Sequence, residues 1–160
     1  MFAFLCVTVK SMKLHVLEEA PDFFAYDQNG MSHSLKDYSG QYLLLFFYPK
    51  DNTPGCITEV CAFRDEYDSL SPYVNILGVN SDSKESHKDF AQKYTLPFPL
   101  LTDSDKRIIE QYGVNGVFFS NRTSFLIDPE GKIVKIYDHV DPSKHAHEIL
   151  EDVKDLIASR

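Results

Sequence analysis

The sequence has little cysteine, and none of the spacings that usually give cysteine a structural role. Three cysteines occur in 160 residues, too few and odd in number for the disulfide framework of a small secreted protein. No CxxC pair is present, which removes the redox motif of a general disulfide reductase. Paired CxxC or HxxxH ligands are missing too, so no zinc or other metal site is expected. Reduced thiols in a cytoplasm fit this usage best. Positive charge is also scarce. The chain has 16 Lys and Arg against 24 Asp and Glu, a net charge of −8. That is the wrong sign for nonspecific nucleic-acid binding, which needs cations to replace phosphate counterions. No apolar run is long enough to span a bilayer. The opening MFAFLCVTVKSMKL has no basic residue before its apolar start and no small-residue cleavage site after it. Neither a membrane partner nor a signal peptide is expected. Repeats and low-complexity tracts are absent as well.

What remains describes an ordinary globular chain, 43% apolar and 25% charged, in which a disordered segment has no compositional basis. A chain of this length folds as one domain and buries about two-thirds of its unfolded surface without staples. Met12 offers an alternative start. Residues 1–11 therefore read as an N-terminal extension in which Cys6 is incidental, and residues 12–160 as a single domain.

GQYLLLFFYP, from Gly40 to Pro49, is a continuous apolar run of strand length ending at a proline, as a buried central strand requires. From Thr53 to Leu70 the apolar spacing becomes helical. Tyr73 to Ser81 reads as a second buried strand, and SKESHKDFAQKY as an amphipathic helix stopped before Pro97 and Pro99. SDKRIIEQYG predicts a short helix with Gly113 as its C-terminal cap. RTSFLIDPEGKIVKIYDHV predicts a hairpin across Asp-Pro-Glu-Gly, and DPSKHAHEILEDVKDLIAS a closing helix. His145 and His147, two apart in that helix, read as solvated. The order β-α-β-α-β-α-β-β-α predicts an α/β three-layer sandwich, a mixed central sheet flanked by helices. A thioredoxin-like sheet has this order, as do other doubly wound folds.

PKDNTPGC, from Pro49 to Cys56, carries the chemistry. Thr53 suits an N-cap, and Pro54 suits the first helical position because its missing N–H would have no partner there. Cys56 then falls in the first turn, where free amides and the positive end of the helix dipole favour a thiolate. Glu59, one turn on, opposes that effect unless a cation from elsewhere answers it. Cys61 lies further along the same helix. Residues i and i+5 of an ideal helix are ~8.7 Å apart and ~140° apart around the axis, beyond the ~7 Å reach of a disulfide. The two cysteines can pair only if the first turns unwind, which makes them a candidate redox switch. The local pattern of Cys61 alone favours a buried apolar filler.

These residues resemble a known family. PKDNTPGC fits the Pro-x-x-x-Thr-x-x-Cys motif of the peroxiredoxins, at Pro49, Thr53 and Cys56. FFYPKDNTPGCITEVCAFRD resembles the Q-type, or bacterioferritin-comigratory-protein-like, subfamily, with its second cysteine at Cys61. APDFFAYDQNG resembles the family's opening segment and NRTSFLIDPEGKI its Arg-x-Thr-Phe-Leu-Ile-Asp segment, so the likeness runs from about Lys13 to the C-terminus. The resemblance implies a thioredoxin-like fold, no cofactor, and reduction of hydrogen peroxide and organic hydroperoxides. It further implies that Cys56 is the peroxidatic cysteine and Cys61 the resolving one, pairing as an intramolecular disulfide. Thr53 would bond the peroxide, Pro49 would shield the thiolate, and Arg122 would orient both and supply the cation facing Glu59. Gly55 and Glu59 belong to the surrounding network, and Phe118 and Phe119 are candidates for the upper pocket wall. The implied partners are the peroxide and thioredoxin or a similar dithiol, acting on a monomer with at most weak dimerisation. Two rival classes use the same cysteine pair: a generic thiol–disulfide carrier and a redox sensor or chaperone.

Overall fold

The computed structural model describes residues 13–117 and 119–160. Residues 1–11 with Cys6, Met12, and Phe118 lie outside the described residues. A mixed five-stranded sheet forms the middle layer, in the order β5-β4-β3-β6-β7. Its central strand β3 (Tyr42–Phe47) pairs parallel with β4 (Val74–Asn80) on one side and antiparallel with β6 (Thr123–Ile127) on the other. The edges are β5 (Leu100–Thr102), parallel to β4, and β7 (Ile133–Tyr137), antiparallel to β6.

Every residue of β3 is buried, which explains its unbroken apolar run: both faces are covered, so no position needs to be polar. Side chains alternate across it. Tyr42, Leu44 and Phe46 enter one core, while Leu43, Leu45 and Phe47 enter the other. The first core is closed by α1 (Pro54–Asp65), α3 (Lys84–Tyr94) and α5 (His145–Ala158), through Val60 and Phe63, Phe90, and Ile149 and Val153. Strand order advances one way from β3 to β4 to β5. Right-handed crossovers therefore put α1 and α3 on the same face. On the opposite face α4 (Arg107–Gln111) contributes Ile108 and Ile109, beside Phe23 and Ala25. This is the three-layer sandwich that the element order predicts.

One local expectation is corrected. The helix predicted over 53–70 is in two pieces, because the regular pattern lapses at Glu66 (φ −97, ψ 5) and resumes as α2 (Tyr67–Leu70). The Glu66 carbonyl accepts from both Ser69 and Leu70, and Leu70 still reaches the core. Helical spacing of apolar residues runs through both pieces, so periodicity did not reveal the break. A short hairpin of β1 (Phe24–Tyr26) and β2 (Ser32–Ser34) also precedes the sheet. Its turn uses Gly30 at φ 77, and the Asp-Gln-Asn-Gly segment was a usable turn signal.

At Gly78, in mid-β4, an added Cβ would lie 2.7 Å from Phe46 Cζ and 2.8 Å from Leu100 Cδ2. Both neighbours are fully enclosed in the core that α1 covers. Gly78→Ala should therefore destabilise the protein by about 1–3 kcal/mol, the usual cost of overpacking. The expected result is a lower urea midpoint at unchanged m-value. A midpoint equal to the parent's would show that Phe46 gives way freely.

Candidate active site

The turn from Tyr48 to Thr53 carries the chain from the end of β3 into α1. Asn52 adopts φ 61 within it, a conformation that asparagine tolerates better than most residues. Thr53 takes the N-cap position in an extended conformation and Pro54 opens the helix, as their residue types predict. Thr53 does not cap with its side chain, however. Its Oγ1 donates to the Lys50 carbonyl at 2.8 Å, which closes the turn and leaves the hydroxyl lone pairs available as acceptors.

Cys56 lies in the first turn of α1 with its side chain fully enclosed. Arg122, immediately before β6, reaches across to it. Its Nη2 donates to Cys56 Sγ at 3.3 Å while Nη1 donates to Glu59 Oε2 at 3.0 Å. The approach is close because residue 55 is a glycine: a Cβ there would sit 3.0 Å from Arg122 Nη2. The guanidinium thus answers Glu59 and faces the thiol with the same planar fork. Burial disfavours the charge on Arg122, but Glu59 and the Cys56 sulfur more than offset it and hold the proton firmly.

Glu59 is 1% exposed, and its Oε1 has no hydrogen-bond partner among the described residues. Burial pushes its carboxyl from an ordinary 4.5 up to about 7, with Arg122 pulling only part of the way back. Cys61 lies further along α1, half-buried against the same core, and both thiols are free. Pro49 is half-buried at the end of the sheet and Phe119 is largely exposed. Lys50 Nζ lies 5.7 Å from the centre of the Phe119 ring.

His145 corrects an expectation. It is completely buried, whereas His147 is exposed. The His145 ring packs edge-on against Phe63 and Tyr137, and its Nε2 meets Ser124 Oγ at 2.8 Å. Burial, then the charge of Arg122, push its pKa down to about 4, so it stays neutral. Helical spacing carried no sign of this, because residue 145 opens α5 at the seam with α1. Asp51 was also missed. It is 5% exposed and bonded to His87, Ser86, Asn80 and Tyr48. No cluster of metal-ligating side chains occurs among the described residues.

Fold and site together define an α/β redox protein in which one enclosed thiol, at a helix start, is faced by a cation. The AhpC/TSA family profile matches residues 16–136. Peroxiredoxin Bcp of Bacillus subtilis is 38% identical over 154 residues, spanning 91% of this chain and 98% of that one. The chloroplastic peroxiredoxin Q of Arabidopsis thaliana is 40% identical over 147 residues, spanning 89% and 68% respectively. Among solved structures, a cysteine-to-serine variant of Xylella fastidiosa PrxQ superposes with a TM-score of 0.87 at 30% identity, covering 91% of this chain and 99% of that one. The chain belongs to the AhpC/TSA family as a peroxiredoxin, a thiol-dependent peroxidase with a thioredoxin-like fold.

The Glu59 carboxyl holds its proton more tightly in the folded chain than in the unfolded one. Its contribution to stability is therefore complete below about 4.5 and lost as pH rises through about 7. Glu59→Gln should flatten the fall in unfolding free energy across that interval, measured by urea melts from pH 4.5 to 7.5. A slope identical to the parent's would mean that the carboxylate stays ionised throughout.

Proposed function

We propose that Cys56 is the nucleophile of a peroxide reductase that Arg122 activates, with Cys61 as the internal resolving thiol. The observation that carries this reading is the Arg122 fork, shared between Cys56 Sγ and Glu59. The guanidinium and the first-turn amides favour the thiolate. Thr53 Oγ1, its proton committed to Lys50, is free to accept the peroxide O–H. Pro49, half-buried at the turn, screens the approach from bulk water, and Phe119 stands beside Lys50 of the same turn.

The thiolate sulfur attacks the distal peroxide oxygen, and an S–O bond forms as the O–O bond breaks. Sulfur gives up two electrons to the peroxide. The leaving oxygen, its growing charge stabilised by Arg122, takes a proton from solvent and departs as water or an alcohol. Cys56 is left as a sulfenic acid. Unwinding of the first turns of α1 then lets the Cys61 thiolate attack the Cys56 sulfur, forming the S–S bond and releasing hydroxide, which leaves as water. An external dithiol such as thioredoxin attacks the disulfide and, through a mixed disulfide, leaves both cysteines reduced and itself oxidised. No step calls for a metal, haem or flavin. Among the described residues no helix is long and apolar enough to cross a membrane, and the cycle suits a monomer in a reducing cytoplasm.

Thioredoxin-coupled peroxide consumption by the purified protein tests the reading. Cys56→Ser should abolish it. Arg122→Met should slow sulfenic acid formation by about 10²–10³, the usual loss on removing one charge-stabilising donor. Stopped-flow rates for Arg122→Met within threefold of the parent would favour a generic thiol–disulfide carrier instead.

Cys61→Ser should keep a fast first turnover yet lose efficient recycling and accumulate oxidised Cys56. Mass spectrometry of the peroxide-treated parent should find two hydrogens lost within one chain, in the peptide joining Cys56 and Cys61. A bridge formed only between chains would remove Cys61 from the resolving role.

A further inference from the structure

We propose that Asp51 and His87 are positioning residues. Their buried hydrogen-bonded contact holds the Pro49–Thr53 turn in the geometry that attacks peroxide, and so sets the balance between attack and the unwinding that forms the disulfide. This inference rests on the roles of Cys56 and Cys61 proposed above.

The Asp51 carboxylate is saturated. Oδ1 accepts from Tyr48 Oη at 2.7 Å and from Asn80 Nδ2 at 3.1 Å. Oδ2 accepts from Ser86 Oγ at 2.8 Å and meets His87 Nδ1 at 2.7 Å. The main-chain N–H of Asp51 donates to Asp82 Oδ2 at 2.7 Å. Donors on this scale fix the carboxyl as an anion, and it sits below the ordinary carboxylate range: burial raises it, but His87 and the hydroxyls outweigh burial. The far nitrogen of His87, Nε2, meets the Leu101 carbonyl at 3.1 Å. The ring therefore bridges an oxygen of the turn and an oxygen of β5. His87 is 0% exposed.

The placement of this cluster gives it a function. Its partners come from the end of β4 (Asn80), the link after it (Asp82) and the first turn of α3 (Ser86, His87), all parts of the rigid layer structure. Asp51 lies midway between Pro49 and Thr53. Upstream, the Tyr48 carbonyl is tied to Ser120 Oγ at 2.9 Å, which steadies the segment leading to Arg122. Downstream the fastening changes. Among the described residues the Thr53 hydroxyl bonds only within the turn, and the first turn of α1 is gripped from outside through Arg122. Unwinding therefore begins beyond an anchored Asp51. A saturated carboxylate defines one position for the backbone that bears it.

Stopped-flow measurements with hydrogen peroxide separate this role from a merely structural one. Sulfenic acid formation and disulfide formation are followed in the parent, in His87→Asn, and in Asp51→Leu/His87→Leu, which fills the site without charge if the single variant folds poorly. The expected result has opposite signs: attack slows by about 10–100-fold, as small misplacements of reacting groups do, while disulfide formation speeds up. Both rates within about twofold of the parent in folded variants, or both falling together, would overturn the inference alone. A parent that forms no Cys56 sulfenic acid would overturn the peroxidase roles first and this inference with them.

Discussion

Arg122 carries its guanidinium to the start of α1, where Cys56 and Glu59 are both closed off from water, and several independent requirements meet at that group. A buried carboxylate without a cation would be costly, and a thiolate at that position needs a positive neighbour. The fork geometry of arginine serves both at once, which the point charge of a lysine does not. Gly55 leaves the space, and β6 delivers the side chain from the central sheet. Cys56 and Arg122 are distant in sequence and adjacent because β3 pairs antiparallel with β6.

The same region must also yield. The proposed catalytic cycle asks the first turns of α1 to open, and the architecture makes that inexpensive. Hydrogen bonds contribute about 0.5–1.5 kcal/mol each, net of water, and helix ends fray readily. The turn just before the helix is the opposite case. Asp51 is bound to β4, to the link that follows and to α3 by side-chain and main-chain contacts. A firmly held turn next to a releasable helix start allows one site to be ordered for attack and loose for resolution. His145, neutral and packed from the start of α5 against Phe63 of α1 and Tyr137 of β7, closes that seam without adding a charge near Arg122.

Much of this was legible in the linear sequence, wherever one local rule governs a segment. The unbroken apolar run of β3 follows from burial on both faces. Thr53 and Pro54 mark a helix start through backbone groups that have no other partner. The spacing of Cys56 and Cys61 excludes a disulfide within an intact helix. The Thr-Pro-Gly-Cys segment and the Arg122 segment resemble a family closely enough to suggest a shared site. Positions where two local rules compete were read wrongly or missed: the break at Glu66, where apolar spacing continues through a lapse in backbone bonding, and the small β1–β2 hairpin, whose strands are too short to show alternation.

The sequence by itself determined the order of elements and the helix-start thiol, because each depends on neighbours along the chain. Tertiary structure decided the charges. Whether Glu59 is solvated or sealed, whether Asp51 belongs to a loop surface or a buried pair, and whether His145 or His147 faces water all depend on residues brought from other elements. Desolvation and pairing act through space and leave no periodic trace, so those facts appear only when the sheet has placed β4, α3, β6 and α5 around the end of β3.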